Sequence, residues 1–579
     1  MTLNNNSGEQ VLKQMYCRCA KYSYIGSMVL MINSVIDGML IAHFLGSKAT
    51  ASFGLVMPAY SLINLVPILL RSSVQTKIGE YLGRGDTKSA KHSLFILMTA
   101  AVAASLPLFI MFTLFSGITM KMLSAGAEHS EDTLLMASGY MHYLSISVFP
   151  IMMSSVLHPT MQLDGDIKRS AFAIQVGTVV NISGDLINVL LFNGGMKGMA
   201  IATDLSCFAE LFILLLHYRN KDCILKPVLD RTEKHRYLPL FSCGLPFMTR
   251  ELIAFISGIF LNRLAFTLTG ENGVSILCIG NTIWLFMLPA AMAVSSAGNT
   301  LGGVSVGEMD WRGTQYVYKL GIWYSIIYGG VLAAIFFISA MPLAVFCGVG
   351  NIESMNMTIM LLRCLSLSLP VTMMCQVMES YLNVTGRNKS AVCLSILEGG
   401  TVLLGLSWLM RKYYGIFGMW TAKLIAPVMI AFLGFTLIQI TGKTHTEENC
   451  IEKSVSTKTG VSDFSEGIRQ FCLRNKINSR CSNLAALCVE ELACNTLQWG
   501  YNEGRSPEID IRAAYDAGYV TVRIRDSGRQ FDPLLYTRQF VVSDEDPLKN
   551  FGLRLVSELA SEMRYSCIAD CNIVLIRIK

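Results

Sequence analysis

Long apolar stretches recur along the first 440 residues and are separated by short polar segments. Each stretch is roughly 20 residues or longer, which as an α-helix is enough to cross about 30 Å of hydrocarbon. This pattern predicts twelve membrane-spanning helices. Their expected bounds are 22–47, 52–76, 92–120, 134–160, 170–192, 199–218, 238–264, 274–303, 318–347, 355–383, 390–410 and 414–440.

The pattern changes after Gln439, where the chain becomes polar. Residues 441–463 lack a periodic apolar pattern and predict a linker. From residue 464 to the end, helical and alternating patterns predict a soluble α+β sandwich in which helices lie on a sheet. The expected helices are 464–475, 481–500 and 551–561, and the expected strands are 508–515, 519–525, 563–568 and 572–578.

The membrane part contains an internal repeat. Gly46 lies 224 positions before Gly270, the segment around Asp86 lies 224 before that around Asp310, and residues 162–168 resemble 383–389 at an offset of 221. Two six-helix halves in the same orientation about a central cavity are a transporter architecture. The alternative is coincidence among glycine-rich loops. The predicted domains are an N-terminal six-helix lobe at 1–220, a C-terminal six-helix lobe at 235–440, the linker at 441–463 and a cytoplasmic domain at 464–579.

The charges are divided unevenly along the chain. The 579 residues carry 47 Lys and Arg against 41 Asp and Glu, so that 15% are charged and 52% are apolar. Residues 451–579 hold 34 charges in 129 positions, 17 of each sign, so the net charge of +6 belongs to the first 450 residues. This division indicates a lipid-embedded body with a water-soluble tail. It excludes a single soluble enzyme, a disordered chain and a nucleic-acid binder with a clustered basic face.

Lys and Arg are concentrated in one set of alternate loops. That set includes Lys77, Arg84, Lys168, Arg169 and six basic residues between 219 and 236, whereas the opposite set has five basic residues in all. Cytoplasmic loops carry the excess of Lys and Arg in membrane proteins. We therefore predict a multi-pass cell-membrane protein with both termini in the cytoplasm.

A group of polar residues falls within the predicted spans of the N-terminal lobe. Asp37 lies near the middle of the first span, Asn181 and Asp185 share one helical face in the fifth, and Thr203 begins the sixth. A charge in hydrocarbon costs at least about 2.5 kcal/mol, so these residues require a reason. If the helices converge, the oxygens form a pocket for a proton or Na⁺, because two adjacent carboxylates cannot easily both be ionised without a cation. The alternative is hydrogen bonding that only stabilises the bundle.

The C-terminal lobe does not repeat this acid pair. Its buried charges include Glu398, for which a substrate contact, a second proton site and a structural role all stay open. Arg250 and Glu251 are neighbours on a predicted helix, and we expect them not to pair, because adjacent residues point in different directions. The asymmetry favours a single cation site, in the N-terminal lobe.

The motifs of residues 15–440 resemble the multidrug and toxic compound extrusion (MATE) transporters. They are the segments 33–38 (Asn-Ser-Val-Ile-Asp-Gly), 45–46 (Leu-Gly), 58 (Pro), 81–86 (Tyr-Leu-Gly-Arg-Gly-Asp), 164–166 (Asp-Gly-Asp) and 180–185 (Val-Asn-Ile-Ser-Gly-Asp). By this resemblance, Asp37, Asn181, Asp185 and Thr203 belong to a Na⁺/H⁺ site. The resemblance also implies that the substrates are organic cations and other xenobiotics.

Three segments of the C-terminal domain carry possible chemistry. Glu491 and Asn495 lie four residues apart on one helical face, a spacing that suits a general base and a Mg²⁺ ligand. Asp526 and Gly528 follow a strand, where an acid can accept a base's exocyclic amine and a glycine allows close approach. The segment 549–556 opens a helix whose first amides can meet phosphate.

In this order, the three segments resemble the histidine-kinase-like ATPase fold over residues 464–579, and most closely the anti-sigma-factor serine kinases. The resemblance implies that Glu491 is the general base, that Asn495 binds Mg²⁺, and that Asp526 and Gly528 contact adenine. The family's lid usually reads Gly-Gly-x-Gly, and here Lys549 and Asn550 stand before Phe551 and Gly552. Lys can pair with a phosphate, and Asn is the best substitute for Gly in such a backbone. A degenerate domain kept as a protein-interaction module is the alternative.

The sequence as a whole predicts a multidrug antiporter coupled to Na⁺ or H⁺, with a cytoplasmic domain that binds Mg-ATP and regulates it. The expected partners are small organic cations, membrane lipid, nucleotide and a regulatory protein, and no nucleic acid is expected. The rival prediction is a membrane-tethered signalling protein whose tail binds or phosphorylates a regulatory partner. No GxxxxGK[ST] loop occurs, so an ABC-type pump is not expected.

Overall fold

The structure, a computed structural model, describes residues 9–123, 131–220, 223–230, 237–349, 351–442, 450–501, 507–516, 518–539 and 551–579. It contains a helical part up to residue 442, which we call the body, and a sheet with its own helices from residue 450, which we call the tail. We refer to the body before residue 220 as its first half and to the body from residue 237 as its second half.

The first half of the body is helical almost throughout. Its α-helices are α1 (Gln10–Leu40), α2 (Gly46–Ser73), α3 (Gly79–Gly83), α4 (Thr87–Leu114), α5 (Ser116–Leu123), α6 (Glu131–Leu144), α7 (Val148–Leu163), α8 (Ile167–Ile187) and α9 (Gly195–Leu215). Short π-helical or 3₁₀ turns continue several of them, at Ile41–Leu45, Val74–Ile78, Ser145–Ser147, Asn188–Phe192 and Leu216–Arg219.

The second half has fewer but longer helices. They are α10 (Tyr237–Ser242), α11 (Leu245–Gly307), α12 (Trp311–Ile338), α13 (Ala340–Phe346), α14 (Ile352–Val384), α15 (Asn388–Ile396) and α16 (Val402–Thr441), with a π-helical turn at Leu397–Thr401. The backbone of α11 leaves the helical conformation at Thr269 and Gly270, and that of α16 leaves it at Gly415.

Nine continuous helical segments of the described chain have the length and apolar composition needed to cross a membrane. They are Gln10–Gly83, Thr87–Leu114, Glu131–Leu163, Ile167–Phe192, Gly195–Arg219, Leu245–Gly307, Trp311–Ile338, Ile352–Val384 and Asn388–Thr441. Three of the nine exceed 50 residues, and each contains glycine with positive φ: Gly46 in the first, Gly270 in the second, and both Gly400 and Gly415 in the third. Because other residues rarely adopt this angle, the glycines mark the breaks in the long segments.

Residues at corresponding positions of the internal repeat have the same local structure. Gly46 and Gly270 both have positive φ, 82° and 62°. Asp86 is the N-cap of α4 and accepts a hydrogen bond from the backbone N–H three residues on, at 3.0 Å. Asp310 caps α12 in the same way, at 2.7 Å. Each carboxylate satisfies an N–H group that the first turn of a helix leaves without an intrahelical partner.

The tail is a five-stranded antiparallel sheet with helices on one face. The strands are β1 (Cys450–Val455), β2 (Ile509–Asp516), β3 (Tyr519–Asp526), β4 (Glu562–Ile568) and β5 (Cys571–Ile578), and their order in the sheet is β1-β2-β3-β5-β4. The helices are α17 (Lys458–Arg474), α18 (Ser479–Trp499), α19 (Pro533–Gln539) and α20 (Phe551–Leu559).

Both faces of this sheet are covered. Side chains such as Val522, Ile524 and Ile576 point to one face and pack against α17, α18 and α20 in one apolar cluster. Alternate residues of the same strands point to the opposite face, where Arg523 and Arg525 are buried against the body. The body therefore contacts a sheet face that would be exposed to water in an isolated domain.

The tail elements lie close to their predicted positions except at the start of the tail. β1 falls inside the predicted linker 441–463, and α17 begins at Lys458, so the linker prediction was wrong for residues 450–463. The sequence of β1, Cys-Ile-Glu-Lys-Ser-Val, has few apolar residues because β1 is an edge strand, with a single strand neighbour. Such a strand does not show the alternation on which the prediction depended.

Candidate functional site

Four predicted residues from three helices meet inside the first half of the body. Asp37 comes from α1, Asn181 and Asp185 come from α8, and Thr203 comes from α9. The carboxyl groups of Asp37 and Asp185 are near enough to influence each other electrostatically. The amide of Asn181 donates to the Thr203 hydroxyl at 3.4 Å, and Asn181 and Asp185 are each only 1% exposed. The helices therefore converge as the oxygen-rich pocket requires, and its cation-binding role stays a prediction.

Asn33 completes this group and was not among the predicted site residues. Its amide donates to Asn181 Oδ1 at 2.6 Å and to Asp37 Oδ2 at 3.4 Å. Asn33 precedes Asp37 by four residues on α1, the same spacing that joined Asn181 to Asp185, so this signal was present in the sequence. Tyr140 from α6 reaches the pocket through a hydrogen bond with Thr203, and nothing in its sequence surroundings indicates this contact.

The acid pair has no fixed counter-charge. In the part of the chain that the structure describes, no Lys, Arg or His forms an ion pair with Asp37 or Asp185. Both oxygens of Asp185 and one of Asp37 are buried without a hydrogen-bond donor from the described residues. Neighbouring acids of this kind need a proton or a cation. The oxygens of carboxylate, amide and hydroxyl groups are also the ligands that hard cations prefer, so the donor set fits Na⁺ as well as H⁺.

Glu398 lines a separate cavity in the second half, where the π-helical turn Leu397–Thr401 separates α15 from α16. The cavity has a volume of about 320 Å³ and is also lined by Trp284, Asn281 and Lys423. Glu398 Oε2 is buried and receives no hydrogen bond from the described residues. Lys423 Nζ lies 3.5 Å from Asn281 Oδ1. Glu398 therefore faces a space of ligand size and does not join the acid pair of the first half.

The expectation that Arg250 and Glu251 do not pair was wrong. Arg250 Nη2 lies 3.2 Å from Glu251 Oε1, and Arg250 Nη1 lies 2.6 Å from Glu379 Oε2. Glu379 also accepts a hydrogen bond from the Ser395 hydroxyl at 2.5 Å. The long arginine side chain folds back over its own helix, which the directions of the Cβ atoms alone do not reveal. This buried arginine neutralises acids that would otherwise be further candidates for a cation site.

In the tail, the predicted base Glu491 lies next to the start of α20. Glu491 and Asn495 are half-buried on α18. A Cβ atom on Gly552 would meet Glu491 Cγ at 2.9 Å and would also overlap the Glu491 carboxylate, so a larger residue here would displace the Glu491 side chain. Lys549 and Asn550 lie outside the residues that the structure describes. The described residues thus bring Glu491 to the beginning of α20, where phosphate was expected to bind, with Asn495 one turn further along α18.

Asp526 and Gly528 lie at the end of β3. Asp526 is 4% exposed, and its Oδ1 accepts hydrogen bonds from the Gly528 N–H at 2.9 Å and from the Asn572 amide at 2.8 Å. Burial raises the pKa of Asp526, although both hydrogen bonds act to lower it. A Cβ atom on Gly528 would come within 2.6 Å of the Gly500 carbonyl, which requires glycine. Asn572 was not predicted, because only the pairing of β3 with β5 brings it to Asp526.

Two family models match the chain. The MatE model matches residues 23–187 and 246–405, which together are more than half of the chain. The model of the histidine kinase-like ATPase domain matches residues 456–578. The two matches cover the body and the tail without overlap.

Two relatives are similar to the body at low identity. The "Probable multidrug resistance protein YoeA" of Bacillus subtilis is 21% identical over 333 residues, which are 54% of this chain and 69% of the relative. The "Protein DETOXIFICATION 44, chloroplastic" of Arabidopsis thaliana is 22% identical over 327 residues, which are 54% of this chain and 60% of the relative.

Solved transporter structures share the fold of the body. A MOP superfamily transporter from Pyrococcus furiosus has a TM-score of 0.68 at 22% identity, and the match covers 74% of this chain and 95% of the other. A mutant of the Vibrio cholerae MATE transporter VcmN has a TM-score of 0.70 at 19% identity, covering 76% and 99%. At this identity the likeness shows the fold, which is that of a multi-pass helical membrane protein.

Proposed function

The chain belongs to the MatE family of multidrug transporters, and from this we propose that it exports small organic compounds in exchange for Na⁺ or H⁺. The observation that carries the proposal is the buried pair of Asp37 and Asp185, which has no fixed cationic partner among the described residues. Each carboxyl is a place where a proton or Na⁺ enters and leaves. Asn181 and Thr203 add neutral oxygens that replace part of the hydration of a cation.

We propose that the body consists of twelve spans in two six-helix lobes. We place the boundaries between paired spans at Gly46, Gly270 and Gly415, so that each of the three longest helical segments holds two spans and the nine segments hold twelve. The matching caps Asp86 and Asp310 support a repeat of one lobe by the other. The excess of Lys and Arg on the tail side supports the assignment of both termini to the cytoplasm.

In the proposed cycle, the acid pair controls which side of the membrane the body opens to. With both carboxylates ionised, their repulsion in a low dielectric favours the arrangement in which water or a cation reaches them. Protonation or Na⁺ binding removes this repulsion and favours closure around the site. A cation entering from outside thereby changes the preferred conformation, which is the coupling that an antiporter needs.

The substrates that we propose are organic cations and amphipathic compounds. The similar protein of Bacillus subtilis is described as a probable multidrug resistance protein, which agrees with this class. Inside the second half, Glu398 and Trp284 line one cavity together with Lys423, and an acid and an aromatic ring are groups that attract organic cations. Glu398 would therefore contact the substrate or carry a second proton.

Flux measurements in proteoliposomes test coupling directly. A fluorescent organic cation is loaded, and Na⁺ and proton gradients are imposed separately. Export should follow one of the two gradients, and Asp37→Asn and Asp185→Asn should each abolish the gradient dependence, because an amide carries no exchangeable charge. Asp204→Asn is the matched control, since Asp204 is also a buried acid of α9 but interacts with Ser147 and is not a member of the pair. Gradient-driven export by both variants would refute the proposal.

For the tail, we propose a nucleotide-binding regulatory domain. Asp526 would accept the exocyclic amine of adenine, Asn495 would hold Mg²⁺, and Glu491 would be the general base if the tail transfers phosphate. Gly528 and Gly552 support this assignment, because the Gly500 carbonyl leaves no room for a Cβ at Gly528 and a Cβ at Gly552 would displace Glu491. Lys549 would pair with a phosphate. Mg-ATP would supply the phosphoryl group, and these side chains would bind and orient it.

Titration of the full chain with Mg-ATP tests the nucleotide site. The natural protein is expected to give a heat of binding. Asp526→Asn should lower the affinity for Mg-ATP about tenfold or more. The Asn side chain retains an oxygen for Asn572 and Gly528, so the local fold should persist. No heat at millimolar nucleotide would refute the site. If the rival signalling function is correct, Asp37→Asn and Asp185→Asn should leave export normal while regulation of a protein partner is lost.

A further inference from the structure

Charged residues bind the tail to the second half of the body. They lie on the face of the sheet that points away from α17 and α18. Arg523 Nη1 lies 3.0 Å from Glu308 Oε2 and also pairs with Asp310. Arg525 pairs with Glu308, and its second guanidinium nitrogen lies 3.9 Å from Asp310 Oδ2. Arg512 adds a hydrogen bond to the Met309 carbonyl at 3.3 Å. Three arginines of β2 and β3 thus hold the short turn between α11 and α12.

This ionic cluster is shielded from water. The side chains of Arg523, Arg525, Glu308 and Asp310 are each 3% exposed or less. Although burial opposes its ionisation, the arginines hold the pKa of Asp310 well below its ordinary value. Breaking a buried ion pair by removing one partner leaves an uncompensated charge, so each group depends strongly on the others. The contact is therefore a specific docking site and not a loose association of surfaces.

The other end of the sheet is fastened to the first half of the body. The turn between β4 and β5 consists of Ala569 and Asp570, both with positive φ, as in the tight turn of a two-residue hairpin. The Ala569 N–H donates to the Gln162 carbonyl at 3.2 Å. Asp570 pairs with Lys168 at 3.0 Å, and its carbonyl accepts a hydrogen bond from Arg18 at 2.9 Å. Apolar residues around this turn belong to the same buried cluster as the core of the body.

The two halves of the body meet directly beneath the tail. A Cβ on Gly303 of α11 would come within 2.7 Å of the Thr76 carbonyl, so the two backbones are in close contact. The Asn383 amide donates to the Thr76 hydroxyl at 3.2 Å, and the Gln75 amide donates to the Ser296 hydroxyl at 2.7 Å. In a transporter that alternates its access, these contacts must separate when the body opens on this side. A tail bound to both halves opposes that separation.

The residue proposed to recognise adenine lies between the two attachments. Asp526 directly follows Arg525, which pairs with Glu308 of the second half. Through Oδ1, Asp526 also accepts a hydrogen bond from Asn572, two residues after Asp570 of the turn that holds the first half. An exocyclic amine arriving at Asp526 would compete with Asn572 for the same carboxylate. That competition acts on the hairpin attached to the first half.

We propose that the tail is a clasp that holds the two halves of the body together on the side where they meet, and that a nucleotide bound at Asp526 loosens it. The second part of the proposal rests on the nucleotide site proposed above. The clasp favours the state that is closed on the tail side, and release allows that side to open. The tail thereby sets how often the transporter cycles, while the cation gradient supplies the energy.

Hydrogen–deuterium exchange of the full chain in lipid nanodiscs tests the clasp. The reporters are residues 74–84 and 300–310, where the halves meet. Arg525→Gln should raise exchange in both segments about tenfold or more, because the attachment to the second half is lost. Lys168→Glu is a second variant that does not depend on a buried position, since Lys168 is 70% exposed, and it should act in the same direction by repelling Asp570.

The matched control is Arg577→Gln. Arg577 belongs to the same sheet and forms an ion pair with Glu562 inside the tail, at 3.4 Å. This variant should leave exchange at the reporters as in the natural protein. If neither Arg525→Gln nor Lys168→Glu raises exchange there in a folded protein, the clasp is refuted.

Nucleotide control is tested in the same measurement. Mg-ATP should raise exchange at the reporters in the natural protein, and Asp526→Asn should remove this response while leaving the effect of Arg525→Gln intact. If Mg-ATP binds but exchange at the reporters does not change, nucleotide control of the clasp is refuted and the proposed nucleotide site stands. If Mg-ATP does not bind while the clasp variants still open the contact, the nucleotide site is refuted and the clasp stands.

Discussion

Asp310 performs two tasks whose energies can be separated experimentally. It caps α12 through a hydrogen bond of 2.7 Å, and it pairs with Arg523 and Arg525 of the tail. Loss of an N-cap carboxylate costs about 1 kcal/mol. Removal of one partner from a buried ion pair costs about 3–5 kcal/mol. Because Glu308 still pairs with both arginines, the lower end applies, and Asp310→Ala should reduce the free energy of unfolding by about 4 kcal/mol.

The repeat supplies a matched control for this prediction. Asp86 stands at the corresponding position, 224 residues earlier, and caps α4 at 3.0 Å. No ion pair joins Asp86 to the described part of the tail, so Asp86→Ala should cost only the cap, about 1 kcal/mol. Reversible denaturant titration in detergent, followed by tryptophan fluorescence, measures both losses.

A double-mutant cycle then isolates the contribution of the ion pairs. In a chain that already carries Arg523→Gln and Arg525→Gln, Asp310→Ala should cost about 1 kcal/mol, because only the cap remains to be lost. If Asp310→Ala costs no more than Asp86→Ala in the otherwise natural chain, the ionic cluster does not hold the tail and the reasoning is wrong.

Three further predictions follow from close contacts and charge. Gly552→Ala should weaken Mg-ATP binding about tenfold or more in a calorimetric titration, because the new Cβ would displace Glu491. Gly303→Ala should slow export in proteoliposomes, because the new Cβ would push against the Thr76 carbonyl and spoil the tail-side closure. The folded pKa of Asp310 lies below its ordinary value, so its stabilisation is complete above about pH 4 and is lost only as the pH falls further. The tail should therefore stay docked, by hydrogen exchange, from about pH 8 to about pH 5.

Controls for the glycine variants come from the same chain. Gly467→Ala lies on α17, where the new Cβ would make ordinary contact with Ile451 at 3.8 Å, and it should leave nucleotide binding unchanged. Gly330→Ala in α12 would extend into open space and should leave export unchanged. If these control variants weaken nucleotide binding or slow export, the effects of Gly552→Ala and Gly303→Ala cannot be attributed to the close contacts at those two glycines. Undocking of the tail within the stated pH range would contradict the role assigned to Asp310.

Much of the body could be predicted because each helix carries its own signal. Apolar length located the long helices, and the spacing of Asn181 and Asp185 was enough to place both side chains on one helical face. Their meeting with Asp37 and Thr203 required only that helices from the same half pack together. Asn33 was within reach of the same argument, since it precedes Asp37 by one helical turn.

The contacts of the tail with the body could not be predicted in this way. The sequence of β3, Tyr-Val-Thr-Val-Arg-Ile-Arg-Asp, alternates apolar and polar residues, which is typical of a strand with one face in water. In the structure, Arg523 and Arg525 are buried against acids more than 200 residues away in sequence. A polar strand face is expected to be exposed to water unless a binding partner is known. The local sequence around Glu308 and Asp310 does not indicate that these acids bind β3.

The same strand indicates how the proposed regulation by nucleotide would reach the body without a separate signalling element. Arg525 and Asp526 are consecutive, so one side chain faces the body while the next belongs to the proposed nucleotide site, as alternation along a strand requires. A displacement of the backbone at Asp526 would also displace Arg525, whose guanidinium group pairs with the buried Glu308. A nucleotide site on a helix far from the sheet would lack this connection. The position of Asp526 therefore makes the tail suited to control the body and not merely to be attached to it.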